Sequence, residues 1–182
     1  MSLPLTTALI ELEQHVAEAG WDQGPRLFAL VETTDLLRRE PQLATALGLP
    51  TPPSAGVDLG IAAGQLTSIE QEQQDLPSHD SLEGLLAGIT WPAEVLGAAI
   101  VVERVMLPAD VETQLPLAEA EALAWLGEHP ARQDVRLAVA VLRDGSRESA
   151  LRLRDHDSDD AVLSGPDLVP GLADALAKTL AD

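Results

Sequence analysis

Residues 134–154 read DVRLAVAVLRDGSRESALRLR, and no other stretch restricts the fold as strongly. Val135, Leu137, Val139 and Val141 alternate with period two, which sets them on one face of a strand. Asp144-Gly145 marks a turn, so a second strand runs back beside the first. Loop length then decides the register. A two-residue turn at Asp144-Gly145 would pair Val139 with Ala150 and Leu137 with Arg152, setting charge on the apolar face. A three-residue loop, Arg143-Asp144-Gly145, pairs Leu137 with Leu151 and Val135 with Leu153 instead. A slip of one residue turns every side chain to the opposite face. The three-residue loop is therefore predicted, with Gly145 in the left-handed conformation of a G1 bulge.

This register has an electrostatic consequence on the other face. It sets Arg136 across from Arg152, and Asp134 across from Arg154. Residues 132–154 hold six arginines against Asp134, Asp144 and Glu148, a net of +3, while the rest of the chain carries −22. Two directly opposed arginines repel unless an anion or carboxylate lies between them. Glu103 on a neighbouring strand, or the acids of "DHDSDD" at 155–160, would answer them from within the chain. The other reading makes Arg136, Arg152 and Arg154 a site for a small anion or an acidic peptide.

The remaining elements follow from periodicity and punctuation. Leu5, Leu9, Leu12 and Val16 repeat at helical spacing until Gly20, predicting an amphipathic helix over about residues 3–19. "RLFALVET" is an apolar run bounded by Gly24-Pro25 and Thr33-Thr34-Asp35. It reads as a buried strand, followed by a short helix broken near Pro41. Residues 48–65 hold three prolines and four glycines without a period and read as a loop. "LTSIEQEQ" is an exposed or edge strand. Asp80 or Ser81 caps a helix carrying Leu82, Leu85, Leu86 and Ile89, which Pro92 ends, and "LGAAIVVERVML" is a strong strand. Residues 116–128 are rich in helix formers up to His129-Pro130. Leu172, Leu176 and Leu180 give a terminal helix. The pattern has too few crossover helices for a doubly wound sheet. The expectation is one α+β domain over residues 1–182: a mostly antiparallel sheet of about five strands, flanked by helices.

Composition narrows function by exclusion. With 30 Asp and Glu against 11 Lys and Arg, the formal charge is −19. Such a surface repels phosphate backbones and anionic lipid heads, so neither nucleic acid nor a membrane is expected as partner. Cysteine is absent, which removes disulfides, thiolate nucleophiles and Cys-type zinc sites. The chain opens with no signal-like segment and has no apolar run of spanning length, so a cytoplasmic location is expected. Four aromatic residues, Trp21, Phe28, Trp91 and Trp125, leave the core to aliphatic side chains.

Motifs for catalysis are missing. His15, His79, His129 and His156 are scattered, and no nucleophile elbow, phosphate loop or dinucleotide fingerprint occurs. Asp155, Asp157 and Asp159 match the first ligand positions of a calcium loop. Asp160 then stands at the required glycine and Pro166 at the bidentate glutamate. No metal, no cofactor and no catalytic residue is expected, and "DHDSDD" reads as a solvated loop that answers the arginines beside it.

The stretches "GWDQGPRLFALVET", "WPAEVLGAAIVVERVMLP", "VRLAVAVLRDGSRESALRLR" and "DDAVLSGPDLVPGLADAL" resemble an uncharacterised protein family of actinobacteria, end to end. Ten of the eleven basic residues being Arg fits a GC-rich source. The resemblance implies no activity and transfers no site residue. At fold level the element order is similar to the small α/β fold of secretion chaperones, which implies an acidic, cytoplasmic, dimeric protein. The expected function is a non-catalytic binding or adaptor protein that takes a protein partner or a second copy of itself. The alternative is a small-molecule enzyme or anion-binding protein built on the Arg136/Arg152 face.

Overall fold

In the computed structural model, which describes residues 3–50, 61–72, 82–114 and 116–181, one antiparallel sheet organises the chain. The sheet contains β1 (Arg26–Glu32), β2 (Leu66–Glu70), β3 (Gly97–Met106), β4 (Gln133–Leu142), β5 (Arg147–Leu153) and β6 (Leu163–Gly165). Their spatial order is β2-β1-β3-β4-β5-β6, and every neighbouring pair is antiparallel. The fold is α+β as expected. The sixth strand is the addition: only three residues long, it pairs Leu163 with Leu151 and Gly165 with Ser149. Three residues are too few to leave a periodic signal.

The β4–β5 hairpin has the predicted register, with Leu137 opposite Leu151, Val135 opposite Leu153 and Arg136 opposite Arg152. Leu142 N–H donates to Ser146 O at 2.8 Å, closing a loop of residues 143–145, and Gly145 has φ 86°. The Asp144 carboxylate accepts the Ser146 N–H at 2.8 Å, which holds its pKa below the ordinary carboxylate value.

Two helical layers cover the sheet. Helix α1 (Leu3–Glu18) lays Leu5, Leu9, Leu12 and Val16 on one face. That face has a floor of Ala99, Ala138, Ala140 and Ala150, all fully buried, with Phe28, Leu30 and Val101 beside them. Methyl-sized side chains let the helix approach the strands closely. On the opposite face, Leu27, Ile100, Val102, Leu137, Val139 and Val141 meet the terminal helix and α4 (Leu82–Ala87). The helices between β1 and the terminal element are α2 (Thr33–Arg39), α3 (Pro41–Ala46), α4, α5 (Ala109–Glu112) and α6 (Glu119–Glu128). The terminal helix is α7 (Pro170–Lys178). As expected, the helix after β1 stops before Pro41. The predicted cap at Asp80 or Ser81 and residues 51–60 of the Pro/Gly-rich loop lie outside the described residues.

Arg143 stands in the hairpin loop and serves the fold. Its guanidinium donates to the carbonyls of Trp91 (3.0 Å), Val95 (3.0 Å) and Leu180, tying the loop to the segment before β3 and to the residues just after the terminal helix. Nearby, Trp91 Nε1 donates to Thr179 Oγ1 at 2.9 Å.

Candidate functional site

The polar site lies where α1 ends over the sheet. There β3, β4 and β5 carry Glu103, Arg136 and Arg152 on one rung, because register sets Glu103 opposite Arg136 and Arg136 opposite Arg152. Alternation sends all three to the α1 face, beyond the alanine floor. Arg136 and Arg152 are 1% and 2% exposed.

Arg152 is fully answered from within the chain. Its Nε and Nη2 make a fork to the Glu13 carboxylate at 2.7 Å each. Asp157 accepts from Nη1 at 3.2 Å, and Asp159 accepts from Nη2 at 2.7 Å. Glu13 first, and Asp159 after it, push the pKa of Arg152 further upward, so it is charged at every accessible pH. Two of the acids come from "DHDSDD", which winds through short 3-10 turns at Arg154–His156 and Asp159–Ala161 and turns back onto the hairpin. Among the described residues no group of three or more His, Asp or Glu is placed to hold a metal ion.

Glu13 escaped the sequence reading. It sits four residues after Leu9 and three before Val16, on the stripe that faces the sheet, and is 1% exposed. A carboxylate on an apolar helical stripe was the available signal, since a buried acid needs a buried partner. The same holds for Glu148 on β5, 2% exposed, which accepts a hydrogen bond from Thr6 Oγ1 at 2.9 Å.

Arg136 is held differently. Its Nη2 donates to Gly20 O and to Glu103 Oε1 (3.1 Å), while the Trp21 ring covers its face at 4.4 Å. Its Nε and Nη1 have no acceptor among the described residues. Arg154 lies 5.4 Å from the same ring and makes a fork to Asp22 at 2.9 Å per bond. Arg154 depresses the pKa of Asp22, chiefly through those hydrogen bonds. Asp134, predicted to face Arg154, is 4.0 Å away. Trp21 thus lies against two cations at favourable cation–π distances, and its Nε1 donates to Asp157 at 2.8 Å. The turn itself is pinned by Glu103, whose Oε2 accepts from the backbone N–H of Asp22 (2.8 Å) and Gln23 (3.3 Å).

Beside this network opens a cleft of about 410 Å³. Trp21, Val105 and Leu126 give it apolar walls, and Arg104, Arg132 and Arg154 alternate there with Glu103, Asp22 and Asp134. Arg132 is tied to Asp134 at 2.7 Å and to Gly127 O. Arg104 is exposed and donates to the Glu103 carbonyl at 3.1 Å. Among the described residues no histidine lines the cleft.

Fold and site together define an α+β protein with a closed ion-pair network at one end of its sheet and a mixed apolar and charged cleft next to it. The chain belongs to the PPA1309-like protein family, whose model matches residues 5–181. No curated protein and no solved structure matches it. Among the described residues no helix is long and apolar enough to cross a membrane.

Proposed function

We propose that the protein is a non-catalytic binding or adaptor protein of the cytoplasm whose cleft at Trp21 takes a segment of a protein partner. The carrying observation is the cleft's composition: apolar walls at Trp21, Val105 and Leu126 framed by charges mostly paired with one another. Paired charges give a partner orientation and register, whereas a reaction centre needs a group left free to attack or to move a proton. The net charge of −19 favours a partner with a basic surface. Chaperone-like engagement of the partner, suggested by the element order, is the finer part of the reading. A second copy of this chain is the alternative occupant.

The test is capture from the organism that encodes the protein, followed by mass spectrometry. The tagged chain should retain a protein that a Leu126→Arg variant loses, while size-exclusion with light scattering separates self-association from a foreign partner. A partner-free monomer would count against the reading.

A second reading, an anion-binding protein built on Arg136, Arg152 and Arg154, is supported at one of these residues. All three carry a carboxylate of their own chain, but Nε and Nη1 of Arg136 have no acceptor among the described residues.

A further inference from the structure

We infer that the Gly20–Gln23 turn is a lid, and that Arg136 beneath it is the seat for a small oxyanion, a carboxylate or phosphate group. The inference deepens the anion-binding reading and is independent of the partner-binding one. Arg136 is 1% exposed, yet its Nε and Nη1 have no acceptor among the described residues. An arginine cannot shed its proton to escape that position, so these donors remain a standing demand for an acceptor. Its occupied nitrogen, Nη2, lies between the two free ones. One of the acceptors on Nη2 is Gly20 O, which belongs to the turn. Lifting the turn removes that carbonyl and opens a two-nitrogen fork, the geometry that recognises carboxylate and phosphate.

Three observations mark the turn as the part that moves. Asp22 has φ 67°, a left-handed conformation that a residue with a Cβ adopts at a cost. Asp22 and Gln23 are exposed, as are Gly24 and Pro25 after them, so the packing of the turn rests on the half-buried Gly20 and Trp21. Its ties are polar and peripheral: Glu103 divides its oxygens between the turn's N–H groups and Arg136, Arg154 holds Asp22, and Asp157 holds the Trp21 ring. Trp21 is both the roof over Arg136 and a wall of the cleft, so displacing its ring connects the guanidinium with solvent. Arg154, on the same ring, is paired with Asp22 while the turn is down and adds positive potential at the entrance once Asp22 lifts away with it.

The experiment uses the full chain with Trp91→Phe and Trp125→Phe, which leaves Trp21 as the sole tryptophan. Its fluorescence is followed during titration with inorganic phosphate and, separately, with acetate, against sodium chloride at equal ionic strength. A saturable red shift is expected, half-complete at about 1 mM for the preferred anion, as Trp21 moves into water. The two arms distinguish a phosphate from a carboxylate ligand. Arg136→Gln should abolish the shift, and Glu103→Gln should lower the half-saturating concentration several-fold by releasing the turn and removing a like charge. A response no larger than that to chloride overturns the proposal, as does one that persists in Arg136→Gln. If Arg136→Gln fails to fold, a Glu103→Gln response equal to or weaker than the parent's overturns it. Anion binding that survives in Arg136→Gln would leave the broader anion reading standing on other arginines.

Discussion

Glu13 and Arg152 form a carboxylate–guanidinium fork buried between α1 and β5. Removing both ions from water costs several kcal/mol each, so the pair is weak evidence for net stability. Its structural effect is to hold α1 in one position along β5, together with the Thr6–Glu148 hydrogen bond two helical turns earlier. Breaking the pair one-sidedly is different, because a charge is left behind. Glu13→Gln is expected to cost about 3 kcal/mol in urea unfolding, even with Asp157 and Asp159 in place. The exposed partner is cheap by comparison: Asp159→Asn should cost under about 1 kcal/mol. Replacing both ions, Glu13→Leu with Arg152→Met, should return stability close to the parent's. A double variant as unstable as Glu13→Gln would mean that the pair contributes outright.

The hairpin and its junction with β3 make two glycines unequal. Gly145 turns the β4–β5 loop with φ 86°, and an added Cβ would meet nothing within 4 Å. Gly145→Ala should therefore cost only the left-handed backbone penalty, about 1 kcal/mol. Gly97 opens β3 between β1 and β4, where a Cβ would stand 2.5 Å from Val141 O and 2.5 Å from Leu142 Cδ2. The carbonyl belongs to the central ladder and cannot step aside without breaking it. Gly97→Ala should cost about 3 kcal/mol, more than Gly145→Ala, with both read from thermal unfolding. Equal losses would show that the sheet yields at Gly97.

Acidity governs the molecule as a whole. Arg26 makes a fork to Glu70 at 2.6 Å per bond and depresses the pKa of Glu70 below its ordinary 4.5. The unfolded chain therefore binds the Glu70 proton first as pH falls. This contribution is present above about pH 4.5 and is lost as pH drops through the lower folded value. The stability difference between the parent and Glu70→Gln should be at most ~1 kcal/mol at neutral pH and close toward zero in acid. A difference that widens in acid would reverse the assigned sign. The charge of −19 works against compaction at neutral pH. Moving from about 10 mM to about 150 mM salt shortens the Debye length from roughly 30 Å to roughly 8 Å and should raise the melting temperature. A fall would place the dominant electrostatics in the ion pairs instead.

Local patterns made much of this architecture legible. The alternation Val135, Leu137, Val139, Val141 and the position of Gly145 settled the β4–β5 register, and with it the facing of Arg136 and Arg152. Parity is a strict rule that needs no knowledge of the rest of the chain. The periodic leucines likewise announced α1 and α7. Strand β6 left no trace, since its pairing comes from β5 rather than from its own three residues. The partners of the arginines were only half visible. Glu103 follows from counting across one more strand, and the 155–160 acids follow from adjacency. Glu13 is 139 residues from Arg152 and Trp21 is 136 from Asp157. These distant pairs depend on how a helix settles on a sheet, a choice made by close packing over the alanine floor. Sequence alone put two arginines side by side, and the three-dimensional packing chose which carboxylates and which aromatic ring would meet them.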